Sequence, residues 1–589
     1  MLRNKKKQRL NSMNQIFKRL LVFVCLGYTF MVYSQNKGIL NSGQTTICNP
    51  VNLSYRFCLD GVSRREAADP TMVVFKNEYF LFASKSSGYF HSTDLINWDL
   101  ITTKDLPLED YAPTVVVMKD TLYFMASKDA PISIYKTANP KSGKWKVANS
   151  NFPIGMTDPD LFVDDDGRLY FYYGCSDRNP IYGVELDTKT LNPIGKSVEL
   201  FNSNRKTYGW ERKGDYNDKE GNPWIEGSWM TKHDGKYYLQ YAGPGTEFKS
   251  YCDGVYVSDK PLGTFNLANN NPCSLKPEGF VAGAGHSSTF QDKYGNYWHI
   301  STMTISQKHM FERRLGLFPT FFDKDGEMYV YTGFGDFPFK VPTKKISGPE
   351  ELFPKWMLLS YNKPVAVSSE LPGHPKSFAV NEDIRTYWSA QTGNKGEWLS
   401  VDLQKECTIN AIQINYAENE TKLFDRNPDI YYQYLLQYST DNKTWKTLTD
   451  KTQNKVDVPH DYIELKTPVR ARYIKLINYK VPDGTFALAG LRVFGNGGGK
   501  LPAIVENLRL KRSELDRCIV KLNWTRTPGA IGYNVRYGTQ KDKLYHNYQV
   551  LGDDSLTIRS LNGLQKYYFT IDAFNENGIT SGKNIIELN

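Results

Sequence analysis

Between about residues 66 and 340, short apolar runs alternate with tight polar turns. Thr71–Phe75, the turn Lys76-Asn77 and the run Glu78–Ala83 make the first unit. Thr114–Met118 and Thr121–Ser127 flank Lys119-Asp120 in the second, and Leu161–Val163 and Arg168–Gly174 flank Asp164–Gly167 in the third. Ser228–Lys232 and Lys236–Ala242 lie either side of Asp234-Gly235 in the fourth. Ser288–Gln291 and Asn296–Thr302 lie either side of Asp292–Gly295 in the fifth. Asp-Gly and related polar turns between β-rich runs predict hairpins. Several units continue into a third strand with a similar tail, such as Thr137-Ala138-Asn139 before Trp145. A lone hairpin cannot bury its own apolar face. Five such units, repeating every ~40–70 residues, predict radially stacked blades, a five-bladed β-propeller over residues 35–345.

The period stops beyond that point. Residues 341–357 read as a linker, and 357–497 are β-rich without the earlier repeat. Gly497-Gly498-Gly499 marks a further boundary, and 501–589 form a block of short strands of the size of an immunoglobulin-like sandwich. The expected fold class is therefore all-β throughout.

Composition changes this picture in one respect. The 589 residues carry 73 Lys+Arg against 63 Asp+Glu, a net charge of +10 that would suit a nucleic-acid partner. Seven of those basic residues lie in the first 34, from Arg3 to Arg19, followed by the apolar run Leu20–Tyr33 and by Val32 and Ser34 at small-residue cleavage positions. That order is the order of an export signal, and the run is shorter than the ~20 residues of a spanning helix. Residues 1–34 are therefore expected to be a signal peptide, with the remainder secreted or periplasmic and not inserted in a membrane. Without the leader the charge is 66 against 63, and the case for nucleic acid disappears. Seven cysteines remain, none in a C-x-x-C pair, so no zinc site is expected. A Cys48–Cys58 bridge and seven unpaired thiols are both open readings.

The chemistry is expected where each blade begins. Ala68-Asp69-Pro70, Tyr111-Ala112-Pro113, Thr157-Asp158-Pro159, Ile225-Glu226-Gly227 and Gly285-His286-Ser287 precede the five first strands. First strands line a propeller's channel, so Asp69, Asp158 and Glu226 should converge at one mouth. One Asp-Pro is a common turn, but three acids at one blade position point to catalysis. Crowded carboxylates cannot all ionise alike, which supplies a general acid and a general base at one pH.

These segments resemble the signatures of glycoside hydrolase family 43: Arg65-Glu66-Ala67-Ala68-Asp69-Pro70, Thr157-Asp158-Pro159-Asp160-Leu161-Phe162 and Trp224-Ile225-Glu226-Gly227-Ser228-Trp229. The resemblance implies a five-bladed propeller that hydrolyses glycosides with inversion. It makes Asp69 the general base, Glu226 the general acid and Asp158 the residue that raises the acid's pKa. Inversion calls for acid and base ~6.5–9.5 Å apart. His286 matches the family histidine near the channel axis, beside which a water or a structural calcium is expected; no cofactor is required. Arg313, or its neighbour Arg314, resembles the arginine that contacts the sugar, and Trp210 and Tyr89 are candidate stacking walls.

Residues 357–497 resemble a coagulation-factor 5/8 type C (discoidin-like) jelly roll, a type also used to bind carbohydrate. The resemblance rests on Asn381-Glu382-Asp383, Thr386-Tyr387-Trp388-Ser389, Trp398–Leu403 and Ala471–Leu476. Asn381-Glu382 and Gly490 stand where the family's calcium loop has other residues. Residues 501–589 resemble a fibronectin type III domain through Trp524 and Tyr567.

The expected function is a secreted inverting exo-glycosidase of plant or algal poly- or oligosaccharides, β-xylosidase-like. α-L-Arabinofuranosidase and galactosidase or galactofuranosidase are the alternatives within the family. A carbohydrate-binding propeller lectin is the non-enzymatic alternative, and a retaining fructan-cleaving propeller is a third.

Overall fold

The computed structural model describes residues 43–107, 109–155 and 158–589, so the expected leader lies outside the described residues. Five four-stranded antiparallel sheets follow one another along the chain. Sheet I comprises Thr71–Phe75, Glu78–Phe82, Tyr89–Ser92 and Asp99–Ile101, and sheet II Tyr111–Met118, Thr121–Ser127, Ile132–Thr137 and Lys146–Phe152. Sheet III comprises Asp160–Val163, Leu169–Tyr173, Ile181–Leu186 and Pro193–Phe201. Sheet IV is Glu226–His233, Lys236–Gly243, Cys252–Ser258 and Asn266–Leu267; sheet V is Ala282–Gln291, Tyr297–Thr304, Arg313–Phe322 and Met328–Val330.

The expected hairpins form at the expected turns. Phe75 pairs with Glu78 across Lys76-Asn77, whose φ values are 52° and 63°. His233 pairs with Lys236 across Asp234-Gly235, at 46° and 76°. Two positive φ angles give the turn whose twist matches that of antiparallel strands.

The first strands touch in a closed sequence: I to II, II to III, III to IV, IV to V, and V back to I. Each seam between sheets is apolar and aromatic. Phe82, Phe124 and Trp145 fill the I–II seam, and Phe152 and Phe171 the II–III seam. Tyr172, Leu239 and Tyr241 fill III–IV, and Leu81 and Trp298 join I to V. This packing absorbs much of the chain's large aromatic complement.

In the next region an eight-stranded sheet is built on two long strands, Trp398–Tyr416 and His460–Lys480. Register shifts after Asp402 and after Ile409 break their pairing, and such irregularities bend strands. The sheet encloses Trp388, Leu399, Ile412, Leu476 and Val493. The last region has two sheets, one of Arg509–Arg512, Val520–Asn523 and Ser555–Ile558, the other centred on Gly532–Gly538 and Tyr567–Asn575. Trp524, Tyr533 and Tyr567 lie in the core between them.

The regions are locked together by buried polar contacts. Arg492 donates to Glu382 at 2.8 Å, to Gln413 at 3.0 Å and to the Asp336 carbonyl, and its guanidinium lies 4.6 Å from the Phe280 ring. A Cβ on Gly490 would meet that same Phe280 ring at 2.8 Å. Glu382 is thus engaged in an ion pair with Arg492, which also fastens the second region to Asp336 and Phe280 on either side of sheet V. All seven described cysteines are free thiols, which resolves the alternatives for Cys48 and Cys58.

Arg492→Met should leave Glu382 buried and unpaired, costing about 3–5 kcal/mol of stability. Arg492→Met combined with Glu382→Met should recover most of that loss. Urea unfolding of the three proteins checks both expectations.

Candidate active site

The site is assembled from strand heads. Asp69, Ala112, Asp158, Gly227 and His286 open the five sheets with φ values of 52°, 47°, 42°, 61° and 46°. Left-handed backbone is uncommon outside glycine and most accessible to Asp, Asn and His, so the types found here suit the conformation. It interrupts strand pairing: the ladder slips between Glu226 and Trp229 and between Gly285 and Ser288. Such slips re-aim side chains at sheet rims.

Glu226 stands one residue ahead of the repeated position, which Gly227 occupies. The reason is steric. A Cβ on Gly227 would lie 2.7 Å from Cγ and Cδ2 of His286, and one on Gly285 would lie 2.8 Å from the Tyr251 ring. Both glycines make room for the side chains that surround Glu226.

His286 is the hub. Its Nδ1 lies 3.2 Å from Asp69 Oδ1 and 3.7 Å from Asp158 Oδ2. Single atoms of Asp158, Glu226 and His286 all lie within 4.8 Å of one another. The His286 backbone N–H donates to Asp253 Oδ1 at 2.8 Å, fixing the ring's origin.

Each carboxylate has its own setting. Asp69 accepts hydrogen bonds from Ser84 Oγ at 2.6 Å and from Arg313 Nη1 at 3.1 Å. Burial raises its pKa, but Arg313, His286 and Ser84 outweigh that and hold it below the usual carboxylate range. Asp158 accepts from Ser127 Oγ at 3.0 Å. Burial and the Asp69 charge lift Asp158 above its ordinary value against the pull of His286 and Ser127. Glu226 accepts from the Tyr251 hydroxyl and, at 3.7 Å, from the Cys175 thiol. Burial, reinforced by Asp158, pushes Glu226 up to about 7. Burial opposes protonation of His286, but Asp69, Asp158 and Glu226 together raise its pKa. The arrangement therefore favours the ionised form of Asp69 and the protonated forms of Glu226 and His286.

Arg313, rather than Arg314, faces this centre. It also donates to Glu66 Oε1 at 2.7 Å and Thr246 Oγ1 at 3.2 Å, and its guanidinium lies 4.9 Å from the Phe311 ring. Arg314 points the other way, to His460 Nε2 at 2.9 Å.

Two expectations are overturned. Trp210 is only 1% exposed, stacks on Tyr208 and packs with Cys252 and Leu275. Tyr89 is fully buried in the I–II seam, stacked on Phe82, with its hydroxyl bonded to the Pro140 carbonyl. Neither can be a sugar-stacking wall. Trp224, two residues before Glu226, is 40% exposed, and its Nε1 donates to Cys175 Sγ at 3.3 Å.

Sequence reasoning also missed a repeat of partners. Ser127 ends the second strand of sheet II, and Ser84 and Cys175 lie two residues beyond the second strands of sheets I and III. Each reaches the head of the next sheet: Ser84 accepts from Ala112 N, Ser127 donates to Asp158, and Cys175 to Glu226. The signal was present as Ala83-Ser84, Ala126-Ser127 and Gly174-Cys175. Tyr251 had no comparable signal.

A calcium at the expected place would have to draw most of its ligands from water. Calcium takes about six to eight oxygens, whereas this cluster offers two carboxylates and an imidazole whose Nδ1 already faces Asp69 and Asp158.

The His286 imidazole should titrate above its ordinary value. Asp69→Asn removes one of the charges that favour the imidazolium and should lower that midpoint. NMR titration of the ring protons reads both.

Residues 60–329 match the model of glycosyl hydrolases family 43, and 364–489 that of the F5/8 type C domain. A β-D-galactofuranosidase of Aspergillus niger is 23% identical over 270 residues, 40% of this chain and 72% of that protein. A xylosidase/arabinosidase of Butyrivibrio fibrisolvens is 26% identical over 267 residues, 39% of this chain and 48% of the relative. The chain thus spans under half the length of the second relative, and 49% of a Vibrio xylan 1,3-β-xylosidase. A solved thermostable family-43 glycoside hydrolase shares 21% identity, covering 48% of this chain and 95% of its own, at a TM-score of 0.39. Residues 60–329, which carry all three acids, are thus similar to glycosyl hydrolases family 43, and residues 364–489 to the F5/8 type C domain.

Proposed function

We propose that this protein is an inverting exo-glycosidase, β-xylosidase-like, acting on plant or algal poly- or oligosaccharides. One observation carries the reading: Asp69 is held ionised by Arg313 and His286 while Glu226, across the same imidazole, is pushed up to about 7. One carboxylate can then take a proton from water while the other gives one to the leaving oxygen. The relatives named xylosidase, arabinosidase or galactofuranosidase support the substrate class.

In this mechanism Asp69 is the general base and Glu226 the general acid. Asp158 keeps the acid protonated through its charge, and Tyr251 orients it. Arg313 is placed to hold a sugar hydroxyl, and Trp224 offers an exposed face for stacking. Hydrolysis consumes only water and draws on no cofactor.

The same reading makes the five sheets the blades of a five-bladed β-propeller, within a domain at 35–345. It makes 357–497 a discoidin-like jelly roll and 501–589 a fibronectin type III domain. The last is supported by the Tyr567 hydroxyl, which accepts from Asn562 N at 2.9 Å as in the tyrosine corner of such sandwiches. Residues 1–34 remain the proposed export signal of a secreted or periplasmic protein.

A panel of nitrophenyl glycosides, including xyloside, arabinofuranoside and galactofuranoside, tests the substrate, and the anomer first released tests inversion. Retention would exclude this mechanism. The rate should fall above pH about 7 as Glu226 deprotonates, and at low pH as Asp69 protonates below the usual carboxylate range. Glu226→Gln should slow natural linkages by about 10²–10⁴-fold while sparing good leaving groups. Asp69→Asn should abolish turnover. Asp158→Asn removes a charge that raises Glu226, so the alkaline limb should move to lower pH; an unmoved limb would reject that role.

A further inference from the structure

We propose that the F5/8 type C domain is a structural half of the active site, with Glu418 as a positioning residue for Arg313. The proposal rests on the roles given above to Asp69 and Arg313.

The short strand Arg65–Glu66 and the start of the Arg313–Phe322 strand carry side chains toward both the domain and the catalytic centre. Arg65-Glu66 lies beside Arg313-Arg314, with Ala67 N donating to the Arg313 carbonyl at 3.4 Å and Arg314 Nη1 to the Arg65 carbonyl at 2.9 Å. Side chains alternate across strands, and here the alternation sorts the charges. Glu66 and Arg313 face the site, where they pair at 2.7 Å and Arg313 reaches Asp69. Arg65 and Arg314 face the second domain. Arg65 is fully buried and bound by Glu418 and by Asp457 at 2.6 and 2.8 Å; Arg314 lies 3.8 Å from Glu418 and bonds His460. The far side of these two segments is neutralised by carboxylates of another domain.

The same domain holds the loops around Arg313. Lys308 Nζ donates to the Glu418 carbonyl at 2.6 Å, and Gln307 Nε2 to the Arg385 carbonyl at 2.5 Å. This loop carries Phe311 over Arg313. Arg385 donates to the Glu247 carbonyl at 3.1 Å, next to Thr246, which accepts from Arg313. Arg426 donates to the Ser86 carbonyl at 2.8 Å, two residues beyond the Ser84 that bonds Asp69.

A buried guanidinium that loses its partner is costly and moves toward water or another anion. Weakening the hold on Arg65 and Arg314 should therefore loosen the two segments that aim Arg313. A mere appendage would leave the loops and the Asp69 environment unchanged.

The test uses the full chain as wild type, Glu418→Gln, Arg385→Ala and Lys543→Met. Lys543 bridges Asp323 and Asp325 from the third region and serves as a control for losing an inter-region ion pair. In Glu418→Gln, amide exchange across residues 305–314 should quicken at least about tenfold, and the acidic limb of the pH–rate profile should move to higher pH, with the alkaline limb in place. Arg385→Ala should quicken exchange at 246–248, and Lys543→Met should change neither segment. Unchanged protection at 305–314 in a folded Glu418→Gln protein would overturn the proposal. Should that variant not fold, unchanged protection at 246–248 in Arg385→Ala would do so. Failure of the wild type to cleave any glycoside would instead remove the glycosidase reading, leaving the exchange result to decide this one.

Discussion

Two buried carboxylates, Asp69 and Asp158, and the half-buried Glu226 share one space, and the structure around them keeps that charge tolerable. Isolated, each would be protonated by the cost of desolvation. Two cations prevent this unevenly. Arg313 touches Asp69, His286 leans toward Asp69 and Asp158, and Glu226 keeps only a phenol and a thiol. The unevenness produces the chemistry: Asp69 is held below the usual carboxylate range while Glu226 is pushed up to about 7, and the partners of each account for much of the difference. Every nearby element serves that difference, from the glycines that admit His286 and Tyr251 to the serines that bond Asp69 and Asp158.

The strand heads explain why this centre was largely legible in the chain. A left-handed residue must be placed where each first strand begins, and Asp and His tolerate that backbone. The chemistry-bearing residues and the conformationally suitable ones therefore coincide at Asp69, Asp158 and His286, and a repeat of hairpins was enough to locate them. Sheet IV departs from the rule. There Gly227 takes the left-handed position and the acid moves one residue back, which sequence alone presented as the same position. Only the contact of His286 with the place where a Gly227 Cβ would stand gives the reason.

The errors have a common origin. Aromatic rings stack on sugars, but here Tyr89 fills the I–II seam and Trp210 packs against Tyr208, Cys252 and Leu275. Composition cannot distinguish these uses; exposure can, and it selects Trp224. The partners Ser84, Ser127 and Cys175 were missed because small residues at strand ends carry no signal singly. Their meaning lies in recurring at one place in successive sheets, each reaching the next. Tyr251 immediately precedes a third strand and meets Glu226 only through folding.

Arg313 and Arg314 show the limit most clearly. Adjacent, identical side chains on one strand cannot be assigned by type, and both fit a sugar-binding arginine. The period of the strand sends them to opposite faces, and what lies on each face decides their roles. On one side stand Asp69 and Glu66; on the other stand Glu418 and His460, more than a hundred residues further along the chain. The far face is thus part of what makes Arg313 specific: a guanidinium pair split between two faces of a strand is stable only where both faces supply carboxylates. A region that looks like an accessory module by sequence supplies one of them, so the boundary of the catalytic unit follows the charge pairing and not the domain boundary.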